Sequence, residues 1–266
     1  MKKNIFFVLF TMFMIIQSCN KIPITNRRQL NLQPESTMIE MAEVAYTKFL
    51  AENPPLPQND ERSQRVERIG KKIAAEVESY LKKNGHAKRI EGFKWEFKTV
   101  DQPVVNAWCM PGGKVVVYTE IMKLATDDDM LAVIMGHEIA HAIARHGNER
   151  MSQALAVKGM GTIVGGVFDT GSEASQNIFL QSYGLVSALG MLSYSRKHET
   201  EADKMGLVFM ALAGYNPEKA IDFWQKMASM GGDKPPQMLS THPSDEKRIQ
   251  DIKDFLPKIP KYLSKK

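Results

Sequence analysis

The segment AVIMGHEIAHAIARHG, residues 132–147, carries His137 and His141 four residues apart, with Glu138 between them, in an otherwise apolar run. Positions i and i+4 of an α-helix share a face, and the next residue along sits about 100° round. Two imidazoles on one face with a neighbouring carboxylate supply two metal ligands and a general base, the H-E-x-x-H arrangement. A buried helix has little other reason to hold them, because polar groups removed from water need partners. Zinc takes neutral imidazole and carboxylate ligands, and a catalytic site keeps one position for water. A third ligand must then come from elsewhere in the chain.

The extended pattern H-E-x-x-H-x-x-G-x-x-H does not provide it, because Ala144 and Gly147 stand where its glycine and third histidine would be. His146 lies about 140° round from His141 if the helix continues, and reads as a helix-end histidine bonded to backbone. The later segment SRKHETEAD offers His198, Glu199 and Glu201. Glu199 and Asp203 are four apart, which suits a ligand and a carboxylate that holds a ligand histidine by its second nitrogen. Glu201 has Met205 at the corresponding place. Taken alone, this segment reads as a charged, exposed helix start with Glu near the positive end of the dipole.

These side chains need rigid elements to carry them. Residues 36–50 look helical. Val66, Ile69, Ile73, Val77 and Leu81 mark an amphipathic helix. FKWEFKTV alternates Phe93, Trp95, Phe97 and Thr99 as a half-buried strand, and VVNAWCM and KVVVYT flank a PGG turn as a hairpin. The motif helix should start near TDDDM, with Thr126 as its cap and the aspartates favoured by the helix dipole rather than by a metal. Residues 174–193 return to helical character. A long helix follows from SRKHETEAD to Gly214, then one opened by Pro217 and a last one in HPSDEKRIQDIKDFL. The predicted fold class is α+β, mostly helical, with a small antiparallel sheet. The glycine-rich segment 159–171 is expected to be mobile, and its glycines leave open whether it covers the cleft.

Lys2 and Lys3 followed by the apolar run Ile5–Ile16 read as a secretory signal, too short for a comfortable membrane span. It ends in IIQSCN, which resembles a bacterial lipobox with Cys19 as the lipid-modified first residue. The expected organisation is a lipoprotein signal peptide at 1–18, a tether or strap at 19–35 and a metallopeptidase domain at 36–266. The formal charge of +5 falls to +3 without Lys2 and Lys3, and its positive charges are interspersed with negative ones, so no nucleic-acid footprint is seen. With Cys19 lipidated, Cys109 is the one thiol left, so no intramolecular disulfide is expected; it reads as a small buried hydrophobe. No other segment is long and apolar enough to span a bilayer, and no internal repeat of 20–50 residues is visible.

HEIAH followed by ETEAD resembles the HtpX and CAAX-prenyl-endopeptidase type of zinc metallopeptidase, gluzincins with a Glu third ligand. NAWCMPGG, SRKHETEAD and THPSDEKRI fit the type in family order, over about residues 100–249. The chain lacks the transmembrane helices of the integral-membrane members and resembles the periplasmic lipoprotein branch, with its LoiP- and BepA-like proteases. The resemblance implies a zincin-like (gluzincin) fold, one Zn2+ held by His137, His141 and Glu199, Glu138 as base and Asp203 behind a ligand. It also implies that the strand around Asn106 and Ala107 binds extended substrate by backbone pairing; Trp108 lines the cleft or packs in the core. His242, in THPSDEKRI, has three readings: a helix cap, a donor to the tetrahedral oxyanion, or a fourth zinc ligand that displaces the catalytic water. The periplasmic relatives carry a histidine in the matching loop. The expected protein is a zinc endopeptidase of the bacterial envelope. It would be lipid-anchored through Cys19 in the periplasm, at the outer membrane, and would cleave unfolded or misassembled envelope proteins. The rival is a lipid-anchored chaperone or assembly factor with little turnover.

Overall fold

The computed structural model describes residues 19–157, 172–183, 194–230, 237–242 and 246–264. The segment expected to be a tether or strap folds back as a ribbon. Strand β1 (Cys19–Lys21) pairs antiparallel with β2 (Arg28–Leu30), Cys19 opposite Leu30. The turn between them puts two non-glycine residues in the left-handed region, Ile24 at φ 67° and Asn26 at φ 56°. Ile22 is fully buried, so the ribbon is packed on the body.

Helices α1 (Glu35–Glu52) and α2 (Glu61–Lys83) follow. In α2, Asp60 caps the first turn by accepting from Arg62 N at 2.8 Å. Val66, Ile69, Ile73, Val77 and Leu81 are all fully buried, as their spacing predicts. The strand predicted in FKWEFKTV is shorter, β3 (Glu96–Val100), with Phe97 and Thr99 turned inward. The predicted hairpin is present as β4 (Ala107–Met110) and β5 (Lys114–Tyr118). Its turn uses Gly112 and Gly113 at φ 81° and 84°, a region that glycine occupies without strain. The sheet is mixed rather than antiparallel. Its order is β3-β5-β4, with β3 parallel to the central β5, a pairing that hydrophobic alternation cannot reveal. All of β5 is buried, and β4 forms an edge.

After α3 (Thr119–Met122), the motif helix α4 runs Asp128–Ala144. Asp127, not Thr126, caps it, because the Asp127 carboxylate reaches Met130 N at 2.8 Å. Asp128 pairs with Arg65 and Arg68, and Asp129 accepts from Asn216 N, so this acidic run serves the helix start. Every residue from Met130 to Ala144 is buried, which leaves the helix no solvent face.

The remaining helices are α5 (His146–Val157), α6 (Glu173–Ser182), α7 (Arg196–Leu212), α8 (Lys219–Ser229), α9 (Gln237–Thr241), α10 (Glu246–Phe255) and α11 (Pro260–Leu263). Gly214 ends the α7 segment at φ 77°, as expected. Segment 159–171, Pro243 and residues 184–193 lie outside the described residues. Among the described residues no helix is long and apolar enough to cross a membrane.

One contact decides where the site forms. Helices α4 and α7 touch through glycines: a Cβ on Gly136 would lie 2.9 Å from Gly206 O, and one on Gly206 would lie 2.8 Å from His137 N. No larger residue fits without moving a backbone. This approach sets His137 on α4 against Glu199 and Asp203 on α7.

Candidate metal and catalytic centre

Two turns of α4 aim His137 and His141 the same way, and their Nε2 atoms are 3.0 Å apart. Glu199, in the first turn of α7, reaches both: Oε2 is 3.4 Å from His137 Nε2 and Oε1 is 3.3 Å from His141 Nε2. His242 follows directly on α9 and brings Nδ1 to 3.0 Å from Glu199 Oε1 and 3.2 Å from His137 Nε2. Ligand atoms of the four residues all lie within 4.8 Å of one another, and all four are buried. A tetrahedron with arms of about 2.0–2.1 Å, the zinc–nitrogen length, has edges of roughly 3.3 Å. The separations of 3.0–3.4 Å match that figure. Glu138 Oε1 is buried with no hydrogen-bond partner among the described residues, and Glu199 Oε2 is buried with Arg248 Nη1 at 3.2 Å as an ion pair. The donor set therefore fits a metal of zinc's size and chemistry.

Each α4 histidine is held from behind. His137 Nδ1 lies 2.9 Å from Asp203 Oδ1, the partnership expected from the Glu199–Asp203 spacing. Asp203 is in turn gripped by Arg248, with Nε to Oδ2 at 2.8 Å and Nη2 to Oδ1 at 2.7 Å. The guanidinium lies 3.3 Å over the Trp224 ring, which itself contacts His137. Burial would raise the Asp203 pKa, but Arg248 and His137 hold it below the usual carboxylate range. Burial likewise opposes charge on His137, yet Glu199 and Asp203 lift its pKa to about 9. Arg248 lies within a motif quoted for the family resemblance, but no role could be assigned to it from sequence.

The second arm corrects two expectations. His146 does not bond to backbone, and Glu201 is not an exposed helix-start charge. The motif helix does not continue past Ala144: Arg145 takes a left-handed conformation at φ 60°, and α5 restarts at His146. That turn swings the His146 ring back to His141, Nδ1 to Nδ1 at 2.9 Å. Its other nitrogen lies 3.0 Å from Glu201 Oε2. His146 and Glu201 are 0% and 4% exposed. Burial drives the pKa of both His141 and His146 well down, so both are neutral rings. His198 is also buried, stacked on His146 at 4.5 Å and 3.2 Å from Glu149. The spacing of these residues carries no signal, because the left-handed turn breaks the helical period.

Glu138 sits beside the cluster, its Oε1 3.6 Å from His242 Nε2. Burial raises its pKa, against the pull of the neighbouring His242 and His137 rings, the direction that suits a proton acceptor. Asn106 and Ala107 are both buried at the start of the edge strand. The Ala107 N–H donates to Asn106 Oδ1 at 3.0 Å, and Asn106 O accepts from Tyr118 N. Trp108 takes the core alternative: its ring meets Tyr46 and Phe49 edge-on. Cys109 is buried, and burial pushes its thiol up, away from a reactive thiolate.

Residues 60–256 match Peptidase family M48. The "Mitochondrial metalloendopeptidase OMA1" of Schizosaccharomyces pombe is 33% identical over 240 residues, 89% of this chain and 66% of that protein. The protein of that name from Arabidopsis thaliana is 38% identical over 160 residues, 60% of this chain and 31% of that protein. The "Beta-barrel assembly-enhancing protease" of Escherichia coli is 23% identical over 214 residues, 79% of this chain and 42% of that protein. The chain thus spans between 31% and 66% of the length of these relatives. The expectation of a periplasmic protein lipid-anchored through Cys19 is overturned by this pattern. The more similar of these relatives carry mitochondrial names, and the bacterial protease is more distant. The H-E-x-x-H helix, the Glu199 helix and the match over residues 60–256 agree, and the chain belongs to Peptidase family M48.

Proposed function

We propose that the chain is a zinc-dependent endopeptidase that cleaves extended segments of unfolded or misassembled proteins, and that the arrangement described is its closed form. The observation that carries this reading is the buried His137–His141–Glu199–His242 cluster with the Glu138 carboxylate beside it. His137, His141 and Glu199 would hold the zinc in every state. The E-x-x-x-D spacing of Glu199 and Asp203 favours an HtpX- or CAAX-endopeptidase-like arrangement of these groups. When bound, zinc supplies a Lewis acid that lowers the pKa of water to about 7 and polarises a peptide carbonyl. Glu138 takes the proton of the attacking water and passes it to the leaving amine. Asp203, fixed by Arg248, keeps the His137 ring in one orientation and one tautomer.

Strand β4 is the sheet edge next to α4, and an extended peptide can add to such an edge by backbone pairing at Ala107, whose N–H would exchange Asn106 Oδ1 for the peptide while Asn106 O stays on Tyr118 N. Backbone pairing tolerates many side chains but demands an unfolded segment. In the described arrangement, Met238 N on α9 donates to Val105 O at 3.3 Å, just ahead of that edge. His242 follows on the same helix. One segment therefore occupies both the fourth ligand position and the approach to the edge strand, which favours the latch reading of His242 over the cap. The test is cleavage of casein by the purified chain, with and without a chelator, alongside zinc content. Stoichiometric binding of unfolded protein with no chelator-sensitive cleavage would favour the chaperone instead.

A further inference from the structure

The two α4 histidines are supported differently, and the His141 support runs to the far N-terminal ribbon. Glu201 accepts from Arg27 Nε at 2.7 Å and from the Thr25 hydroxyl. Arg27 turns its other two nitrogens on Glu149, at 2.7 Å and 2.6 Å. Only one proton arrangement satisfies every contact along this line. A His141 that offers its Nε2 lone pair to a metal carries its proton on Nδ1, which donates to His146 Nδ1. His146 then carries its proton on Nε2, which donates to the Glu201 carboxylate. The end point is an anion paired with a guanidinium, as Asp203 is paired with Arg248 on the other arm.

We propose that His146, Glu201 and the Thr25–Arg27 turn form a positioning relay that fixes the tautomer and orientation of His141, so that docking of the N-terminal ribbon is part of assembling the metal centre. The proposal rests on the reading of His137, His141 and Glu199 as metal ligands. Three features of the chain support it. Arg27 and Glu201 are 174 residues apart in sequence and meet at the site. The turn that presents Thr25 and Arg27 holds Ile24, a β-branched residue, at φ 67°, a conformation that persists only where the surroundings enforce it. The ribbon also has anchorage of its own away from the relay. Arg89 donates to Lys21 O at 2.8 Å and to Gln29 Oε1 at 2.9 Å. Arg27 is therefore not the sole tie between ribbon and body.

The test uses the full chain, stripped of metal and titrated with Zn2+ against a chromophoric chelator. The Co2+ form is followed by its d–d absorption, and thermal unfolding of the metal-free chain is recorded in parallel. Glu201→Gln and His146→Phe should each weaken Zn2+ binding by about 10- to 100-fold. Both should alter the Co2+ spectrum beyond anything their unfolding midpoints explain. Arg27→Gln should weaken binding in the same direction, and Arg27→Lys, which keeps the charge on Glu201, should restore most of it. Folded Glu201→Gln and His146→Phe chains with unaltered affinity and spectrum would overturn the relay. If those two fail to fold, equal affinities of Arg27→Gln and the unaltered chain overturn it. A His141→Ala control separates the two levels. Unaltered Zn2+ binding in that control refutes the metal-centre reading and the relay with it, whereas loss there with no loss in Glu201→Gln refutes the relay alone.

Discussion

Replacing His242 by alanine removes a ring that is 3% exposed and whose Nδ1 sits 3.0 Å from Glu199 Oε1 and 3.2 Å from His137 Nε2. As a latch, that nitrogen completes the ligand set and shuts out the attacking water. Its loss leaves α9 tied, among the described residues, by the buried Met238 side chain and two backbone bonds, Tyr194 N to Thr241 O at 2.9 Å and Met238 N to Val105 O at 3.3 Å. A contact to a charged group contributes roughly 1.5–3 kcal/mol to the closed form. Since about 1.4 kcal/mol is a factor of ten, the open fraction should rise about 10- to 100-fold, until it saturates. Initial rates of casein cleavage at fixed zinc loading measure this directly. Basal turnover should rise for His242→Ala, with zinc affinity falling modestly. A fall of about 10²–10³ would instead make His242 an oxyanion donor. Unchanged turnover together with unchanged zinc affinity and unchanged stability would refute both roles and leave the cap.

Glu199→Ala should cost zinc affinity more than Glu201→Ala, because Glu199 touches both histidine Nε2 atoms whereas Glu201 acts through His146; chelator competition on the two variants decides it, and equal or reversed losses would reassign the ligand. Zinc binding at pH 7.5 should release about one proton from His137, since its metal-free pKa is raised to about 9 and a ligand ring must be neutral. Calorimetry in buffers of different ionisation enthalpy counts that proton, and a count of zero contradicts the charged state. In the metal-free chain the same shift stabilises the fold below pH 6.5, and that contribution is lost as pH rises through about 9. Gly206→Ala should destabilise the chain by about 1–3 kcal/mol, because its Cβ meets the His137 backbone at 2.8 Å; denaturant unfolding with an unchanged midpoint would refute the close helix contact.

The parts of the centre that could be read in the sequence are those that obey helical periodicity. His137, Glu138 and His141 share one helix, Glu199 and Asp203 are one turn apart on another, and the α2 stripe is regular. What was hidden depends on breaks and crossings. The left-handed Arg145 redirects His146, so its sequence distance from His141 misleads. Arg27 and Arg248 reach the site only because the ribbon and α10 fold back onto α7. The parallel pairing of β3 with β5 follows from strand order, about which alternation is silent. The signal-like start of the chain gave a cellular address that the mitochondrial names of the more similar relatives contradict.

The most direct test is one variant with two readouts. Glu138→Gln keeps the shape of the side chain and removes the base, while His137, His141 and Glu199 are untouched. Zinc content by atomic absorption and chelator-sensitive casein cleavage should be measured on the same preparation. One zinc per chain with peptidase activity abolished is the expected result. Full activity in the variant, or loss of zinc from a folded chain, would contradict the assignment of Glu138 as a base beside, and not within, the ligand set.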